Sequence, residues 1–524
     1  MVKQNTHYLF RVRFSLLVAL AFSVSGVSLA QSQKKETLQL LGSTTITVDL
    51  SKQHQTIDNF AASDAWACQF VGNWPEQKKN AIADLLFSKK LLPDGRPEGI
   101  GLSMWRFNIG AGSAQQSRES GIKDEWRRAE SFLQADGKYD WSRQAGQMWF
   151  LEAAKKRGVE QFLAFTNSPP VQFTKNGKAF ANSGKPNLSS EKFNEFADFL
   201  ASVTKNVYNK TGVLFNYLSP VNEPQWDWSN GGQEGTPFTN SDISGITKAL
   251  DAALVKNNLP SKITITEAGD YKYLYSAADK PDKASQIDTF FNPTSTDYIG
   301  NLPSVEKLIS GHSYFTTSPY STAVSVRQDV AEKVSSVPGL RFWQSEYCIL
   351  GDNAGEIDGK KRDLGIDAAL YLAKVIHNDL VNANASAWHW WLAVSPYNYK
   401  DGLIYIDKNK TGGNFYPSKM LWALGNYSRF ISPGAVRIEA AVNSESSGLL
   451  VSAYQNKEAK ELITVVINSN PRTENLNLKL GAGDYRAIKH FTTSATADLA
   501  PGEMEGYHII LPAKSITTII AGIK

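Results

Sequence analysis

The sequence predicts an α/β fold: a (β/α)8 TIM barrel with a fused antiparallel β-sandwich side domain. Two observations carry that expectation. Eight short apolar runs alternate with helical patterns between residues 56 and 391, which is the βα period of a barrel. Beyond about residue 431 the helical patterns stop, and short alternating strands broken by turn residues take over, the texture of a sandwich.

Taken in order, the chain opens with Lys3, Arg11 and Arg13 ahead of an apolar run that ends near Ser28-Leu29-Ala30. That is the layout of a signal peptide over residues 1–30, and the run is too short and too rich in small polar residues for a membrane span. No cysteine follows it, which argues against a lipid anchor. The mature protein is therefore expected to be exported, periplasmic or secreted, with no stable membrane association. Residues 31–51 include the alternating stretch Thr45-Ile46-Thr47-Val48-Asp49-Leu50, a half-buried strand with no helical partner, expected to join the sandwich.

The barrel is expected over residues 52–430. Its predicted strands are 56–66, 102–108, 161–167, the run leading to Glu223, 263–270, 308–314, 340–347 and 385–391. Helical patterns lie at 76–86, 145–157, 190–209 and 365–378, and the polar, Gly-rich segment 111–139 reads as a long substrate-facing loop. Residues 431–524 form the side domain, with strands predicted at 449–454, 461–468, 475–480, 485–491, 506–511 and 515–521.

Two stretches organise the chemistry. Phe215-Asn216-Tyr217-Leu218-Ser219-Pro220-Val221-Asn222-Glu223-Pro224 is an apolar run stopped by a proline, which cannot donate to a sheet ladder. Leu340-Arg341-Phe342-Trp343-Gln344-Ser345-Glu346-Tyr347 likewise ends in one carboxylate beside an aromatic residue. Carboxyl ends of barrel strands are where catalytic groups sit. Two glutamates there fit glycosidic bond cleavage, with one acid for the leaving oxygen and one carboxylate at the anomeric carbon. A single such glutamate is more often a plain loop carboxylate; the pair, each beside aromatics, reverses that judgement.

Position also nominates neighbours. Arg106, near the end of the second strand, is expected to pair with Glu346 and keep it ionised. Asn222 suits a sugar 2-hydroxyl, Tyr314 a hydrogen bond to the nucleophile, and Trp390 the stacking floor of the site. His312 also ends the sixth strand, and Asp64 and Trp66 are placed to meet peripheral hydroxyls. The bland alternatives are a structural ion pair for Arg106, a satisfied core group for His312 and packing for the tryptophans.

Bulk properties exclude other classes. Removing the signal takes three positive charges and no acidic ones from the formal +4, leaving +1, which gives no support for nucleic-acid or anionic-membrane binding. Cys68 and Cys348 are the two cysteines, too few for a disulfide scaffold or a zinc site, and two buried thiols are expected rather than a bridge.

With these residues in view, the chain resembles family 30 of the glycoside hydrolases from about Thr45 to the C-terminus. The resemblance rests on Ser63-Asp64-Ala65-Trp66, Arg106-Phe107-Asn108, Asn167-Ser168-Pro169-Pro170, Asn222-Glu223-Pro224, His312-Ser313-Tyr314, Ser345-Glu346-Tyr347 and the junction motif Gly425-Asn426-Tyr427-Ser428-Arg429-Phe430-Ile431. It implies a retaining mechanism with Glu223 as acid/base and Glu346 as nucleophile, a sandwich built from both chain ends, and no cofactor or metal. It also places Asn167 and Trp226 among the substrate-binding residues. Within the family, Asn222-Glu223-Pro224-Gln225-Trp226-Asp227-Trp228 followed by Gln233-Glu234-Gly235-Thr236 looks most like the endo-β-1,6-galactanase branch, whose substrate is the galactan of arabinogalactan side chains. The expected partner is thus a polysaccharide or oligosaccharide. A β-1,6-glucanase or another family-30 activity (xylanase, glucosylceramidase-like) competes within the class, and a non-catalytic carbohydrate-binding protein competes from outside it.

Overall fold

The structure, a computed structural model, describes residues 44–443, 448–481, 485–504 and 506–523. The expected signal peptide and the turn residues 482–484 lie outside the described residues. No helix among those described is long and apolar enough to cross a membrane.

The chain begins with strand β1 (Thr44–Thr56) and then enters the barrel through β2 (Asn59–Ser63). The remaining staves are β3 (Met104–Asn108), β4 (Gln161–Phe165), β5 (Tyr217–Ser219), β6 (Lys262–Ala268), β7 (Val305–His312), β8 (Arg341–Glu346) and β9 (Ala387–Ser395). Each pairs in parallel with the next, and β9 pairs with both β8 and β2, closing the barrel. All eight expected strands are present, with ends shifted by a few residues. Nearly every residue in them is buried, as expected for strands packed on both faces. A short extension, β10 (Gly402–Ile406) and β11 (Phe415–Pro417), grows from the end of β9.

The helices at Glu76–Phe87, Ala145–Lys156, Phe193–Thr211 and Ile366–Val381 match the predicted ones. Asn240–Lys256, Tyr320–Ser335 and Lys419–Ser428 go beyond them. The first starts at a capping box in which Thr239 and Asp242 satisfy each other's backbone N–H groups, a signal written in the sequence but set among Asn, Ser and Thr that also favour loops.

The second sheet has the order β17-β16-β19-β14-β13-β12-β1-β15-β18, with β12 (Val436–Asn443), β13 (Leu449–Asn456), β14 (Glu461–Asn468), β15 (Glu474–Lys479), β16 (Tyr485–Thr493), β17 (Ala500–Glu503), β18 (His508–Leu511) and β19 (Ser515–Ile523). Strand β1 runs antiparallel to β12, with Thr45 opposite Asn443, and parallel to β15. That parallel pair departs from the purely antiparallel pattern expected. Its inner face carries Ile46, Val48, Ile438, Val451 and Leu476 in one apolar cluster. The Pro501-Gly502 pair, expected to be a turn, lies in β17 instead, an edge strand where a missing N–H costs nothing.

The junction motif sews the two parts together. Asn426 donates to Thr493 Oγ1 at 2.7 Å and accepts from Thr518, Phe430 meets Phe491 at 4.8 Å, and Arg429 donates to the carbonyls of Ser88 and Gly99. Cys68 and Cys348 are buried and unbridged.

One buried ion pair holds the outer wall near the later strands. Asp379, on Ile366–Val381, accepts from Arg327 Nε at 2.7 Å and from Tyr271, Ser313 and Trp388 at 2.9 Å each. Both charges are fully buried, so deleting one leaves the other uncompensated. Asp379→Ala should lower the unfolding free energy by about 3–5 kcal/mol in denaturant titration, against about 0.5 kcal/mol or less for Asp49→Ala, whose side chain is 41% exposed.

Candidate active site

Five charged groups from five strands meet at the carboxyl end of the barrel. Glu346 is the last residue of β8, with His312, the last of β7, beside it in register. Arg106 lies in β3, Glu267 in β6, and Glu223 just beyond β5. Glu223 has a positive φ of 43°; its N–H donates to Glu267 O at 2.8 Å, and its own carbonyl accepts from the Trp226 N–H and the Trp228 indole. Strand β5 stops at Ser219, ahead of Pro220 rather than at Pro224 as the sequence suggests, and these bonds fix where the Glu223 side chain points.

The contacts form a chain. Arg106 donates through Nη1 to Glu346 Oε2 at 3.0 Å and through Nη2 to Glu267 Oε2 at 3.1 Å. His312 bridges Glu223 Oε1 (Nδ1, 2.9 Å) and Glu267 Oε2 (Nε2, 3.0 Å), with Glu346 Oε1 3.6 Å away. Tyr314 donates its phenol proton to Glu346 Oε1 at 3.2 Å. The Glu223 and Glu346 oxygens and the His312 nitrogen all lie within 4.8 Å of one another, close to the separation of retaining glycosidases.

The electrostatics follow from burial and neighbours. His312 is fully buried, which opposes its charge, but Glu346, Glu223 and Glu267 overcome this and raise it from 6.5 to about 10. Burial would raise Glu267 as well, yet Arg106 and His312 hold it down at about 2. Glu346 is raised by burial and by Glu223, against the pull of His312 and Arg106. Two cations thus face three carboxyl groups, and the cluster balances when the Glu223–Glu346 pair retains one proton between them. Within that pair, Glu346 receives the guanidinium and the phenol, so negative charge is best accommodated there. A metal fits poorly: an imidazolium bonded at both nitrogens to carboxylates has no lone pair to give.

The two carboxyls open on a cavity of about 240 Å³, whose lining includes Asn222, Trp226, Trp228, Tyr314 and Trp391. Arg106, Asn222, Trp226, His312 and Tyr314 therefore gather around the glutamates as the sequence indicates. Asn222 lines the cavity, and its buried Oδ1 has no hydrogen-bond partner among the described residues; Asn167, two residues beyond β4, is not in the lining, and its Oδ1 is likewise buried and unpartnered. Trp66 stands one layer back, edge-on to Trp391 at 5.4 Å, with the Arg127 guanidinium 5.0 Å from its ring.

Three expectations change. Trp390 is not the floor. It is fully buried, its indole donates to the carbonyls of Leu392 and Asp401, and it stacks on Trp388, which reaches outward to Asp379. A strand's side chains alternate, so Trp391 takes the inward position. Asp64 does not meet peripheral hydroxyls: it is fully buried, with Oδ1 accepting from the Asn108 N–H at 2.8 Å and from Gln147 at 3.0 Å, and desolvation pushes it up to about 8. No residue of 111–139 lines the cavity; that loop is pinned instead, because Glu234 accepts from the N–H groups of Ala111 and Ser113 and from the Ser113 hydroxyl. Glu267, next to last in β6, is a site carboxylate that the sequence pattern does not single out.

Residues 43–405 match the model of O-glycosyl hydrolase family 30, and residues 434–519 match the family 30 β-sandwich domain. The chain belongs to glycoside hydrolase family 30. This family-30 chain is 23% identical over 385 residues to an endo-β-1,6-galactanase of Hypocrea rufa, covering 70% of each protein. It is 28% identical over 189 residues to a glucuronoxylanase of Bacillus subtilis, covering 35% of this chain and 40% of the relative. Among solved structures, a conserved exported protein from Bacteroides fragilis superposes with a TM-score of 0.84 at 34% identity, covering 91% of this chain and all of the other.

The bridging histidine makes stability depend on pH. Its folded value lies above its ordinary one, so its contribution is complete below about pH 6.5 and drains away as the pH climbs through about 10. Wild type should therefore lose more unfolding free energy between those pH values than His312→Gln, in paired denaturation curves.

Proposed function

We propose that the protein is a retaining endo-glycosidase acting on β-1,6-linked galactan, with Glu346 as nucleophile and Glu223 as acid/base. The observation that carries the mechanism is the placement of the two carboxyl groups, one oxygen of each within 4.8 Å of the other, on one cavity, with His312 bonded to Glu223 and 3.6 Å from Glu346. Glu346, held by Arg106 and Tyr314, is aimed and charged for attack on the anomeric carbon. Glu223, whose loop carries Trp226 and Trp228, protonates the departing oxygen. Attack forms an ester between Glu346 and the sugar as the glycosidic C–O bond breaks. Glu223, now a carboxylate, then takes a proton from water, which opens the ester with overall retention. Asn222 supplies a free amide oxygen for a sugar hydroxyl. The similarity to the Hypocrea rufa galactanase, together with the stretch from Asn222 to Thr236, supports galactan over other β-glycans.

In the same reading, residues 1–30 direct export and are removed, residues 31–51 lead into the side domain, residues 52–430 are catalytic and residues 431–524 complete the sandwich. The similarity to a protein described as exported favours that destination.

Glu346→Gln should lose at least about a thousandfold in turnover while still binding sugar, whereas in a carbohydrate-binding protein the exchange would change nothing measurable. Glu223→Ala should fall steeply on polysaccharide yet regain turnover of an activated aryl glycoside when azide is added. Chromatography of digests of de-arabinosylated arabinogalactan, β-1,6-glucan and glucuronoxylan checks the substrate. Short β-1,6-galactooligosaccharides from the first alone are expected, and action on only one of the others would overturn the galactan assignment.

A further inference from the structure

Phe315 is 75% exposed, the most solvent-facing of the large apolar side chains among the described residues, and it sits at a positive φ of 64°. A bulky residue in that region is strained, and an exposed ring gains nothing from burial. Both costs are imposed by what surrounds it. Thr316 bonds back to Ser313 O through its N–H and its hydroxyl, Arg327 Nη1 donates to Thr316 O at 2.7 Å, and Ser313 is itself held by Asp379. A backbone pinned on both sides of a strained residue is a device for presenting that residue.

What it presents is a ring at the mouth of the catalytic cavity, where it lines the wall together with Trp226 and the exposed Leu350. The Phe315 and Trp226 rings meet edge to face, 5.7 Å apart at 74°. Lys280 Nζ, tied to Gln225 O, stands 5.0 Å from the Trp226 ring and holds it from the other side. Trp226 lies three residues after Glu223 on the same loop. Trp391, backed by Trp66 and Phe165, also lines the cavity. Because Trp226 is carried on the same loop as Glu223, a group protonated by Glu223 leaves past Trp226 and the Phe315 ring packed against it.

We propose that Phe315 and Trp226 form the subsite for the leaving sugar of a polysaccharide, with Phe315 supplying an apolar face on which a pyranose ring stacks. This rests on the assignment of Glu223 as the acid. It makes Phe315 a specificity-determining residue for internal cleavage of a chain, and an acceptor-binding residue whenever the glycosyl-enzyme is intercepted by a sugar.

The test compares wild type with Phe315→Ala, Phe315→Tyr and Phe315→Gly on two substrates: β-1,6-galactan, and the β-fluoride of β-1,6-galactobiose, whose fluoride leaves without occupying the subsite. Phe315→Ala should lower kcat/KM on the polysaccharide about tenfold, the size of one lost aromatic contact, with the fluoride changed by about twofold or less. Phe315→Tyr should restore the polysaccharide rate. Phe315→Gly should behave as Phe315→Ala in catalysis while its melting temperature is no lower than wild type, because glycine accepts the positive φ freely. An equal fall on both substrates, or no fall on either, would overturn the proposal. If wild type cleaves neither galactose substrate, the galactan reading fails instead. The four proteins are then compared on whichever of β-1,6-glucan or glucuronoxylan wild type degrades, with the matching disaccharide fluoride, and the same pattern decides the subsite.

Discussion

A cationic imidazole buried between two carboxylates is the interaction on which the catalytic end of this molecule depends. His312 reaches Glu223 with one nitrogen and Glu267 with the other, while Arg106 spans Glu267 and Glu346. Remove the histidine's charge and three carboxyl groups would face a single guanidinium without solvent to screen them, a costly arrangement in a low-dielectric interior. With both cations present, the pair of glutamates needs only one proton to be balanced. In the double displacement proposed for this site, that single proton is the one handed to the leaving group, so fold and proposed reaction call for the same count of charges.

The frame behind these groups is rigid for a related reason. Each charged side chain comes from the end of a different closed-barrel strand, so none can drift without disturbing a hydrogen-bonded neighbour. Asp379 adds a second buried polar knot on the outside of the barrel, gripping Ser313 between His312 and Tyr314. The site is therefore held from within by ion pairs and from without by a helix. The chain spanning Ser313 to Thr316 is where the two meet, and it is there that the backbone tolerates a strained, exposed phenylalanine.

Much of this was legible in the sequence because strand ends are. A run of apolar residues halted by Asn222-Glu223-Pro224, or ending in Ser345-Glu346-Tyr347, announces a carboxylate at the barrel rim, and Arg106, His312 and Tyr314 follow by the same logic. Glu267 obeyed it too but lacked a flanking proline or aromatic residue to draw attention. The error at Trp390 has a different origin. Strand alternation tells that one of Trp390 and Trp391 faces inward, but not which, and the register between β2 and β9 slips at that point, with Ser63 opposite Leu392. Asp64 was misjudged because its acceptors' partners, the Asn108 N–H and Gln147, come from distant segments and pull it under the rim. Phe315 carried no sequence signal at all: the backbone beside it is held by Arg327 and Asp379, twelve and sixty-four residues further on.

The pairing of β1 has an implication for assembly. Its neighbours on either side, β12 and β15, arrive only after the whole barrel has been made, so the earliest described strand waits for partners nearly a chain-length away. Contacts so distant form slowly, because the intervening loop must be closed before they reward the chain. Until β12 and β15 emerge from the ribosome, the apolar side of Ile46 and Val48 lacks the strands that flank it, and the side sheet works as a clasp that fastens late in synthesis.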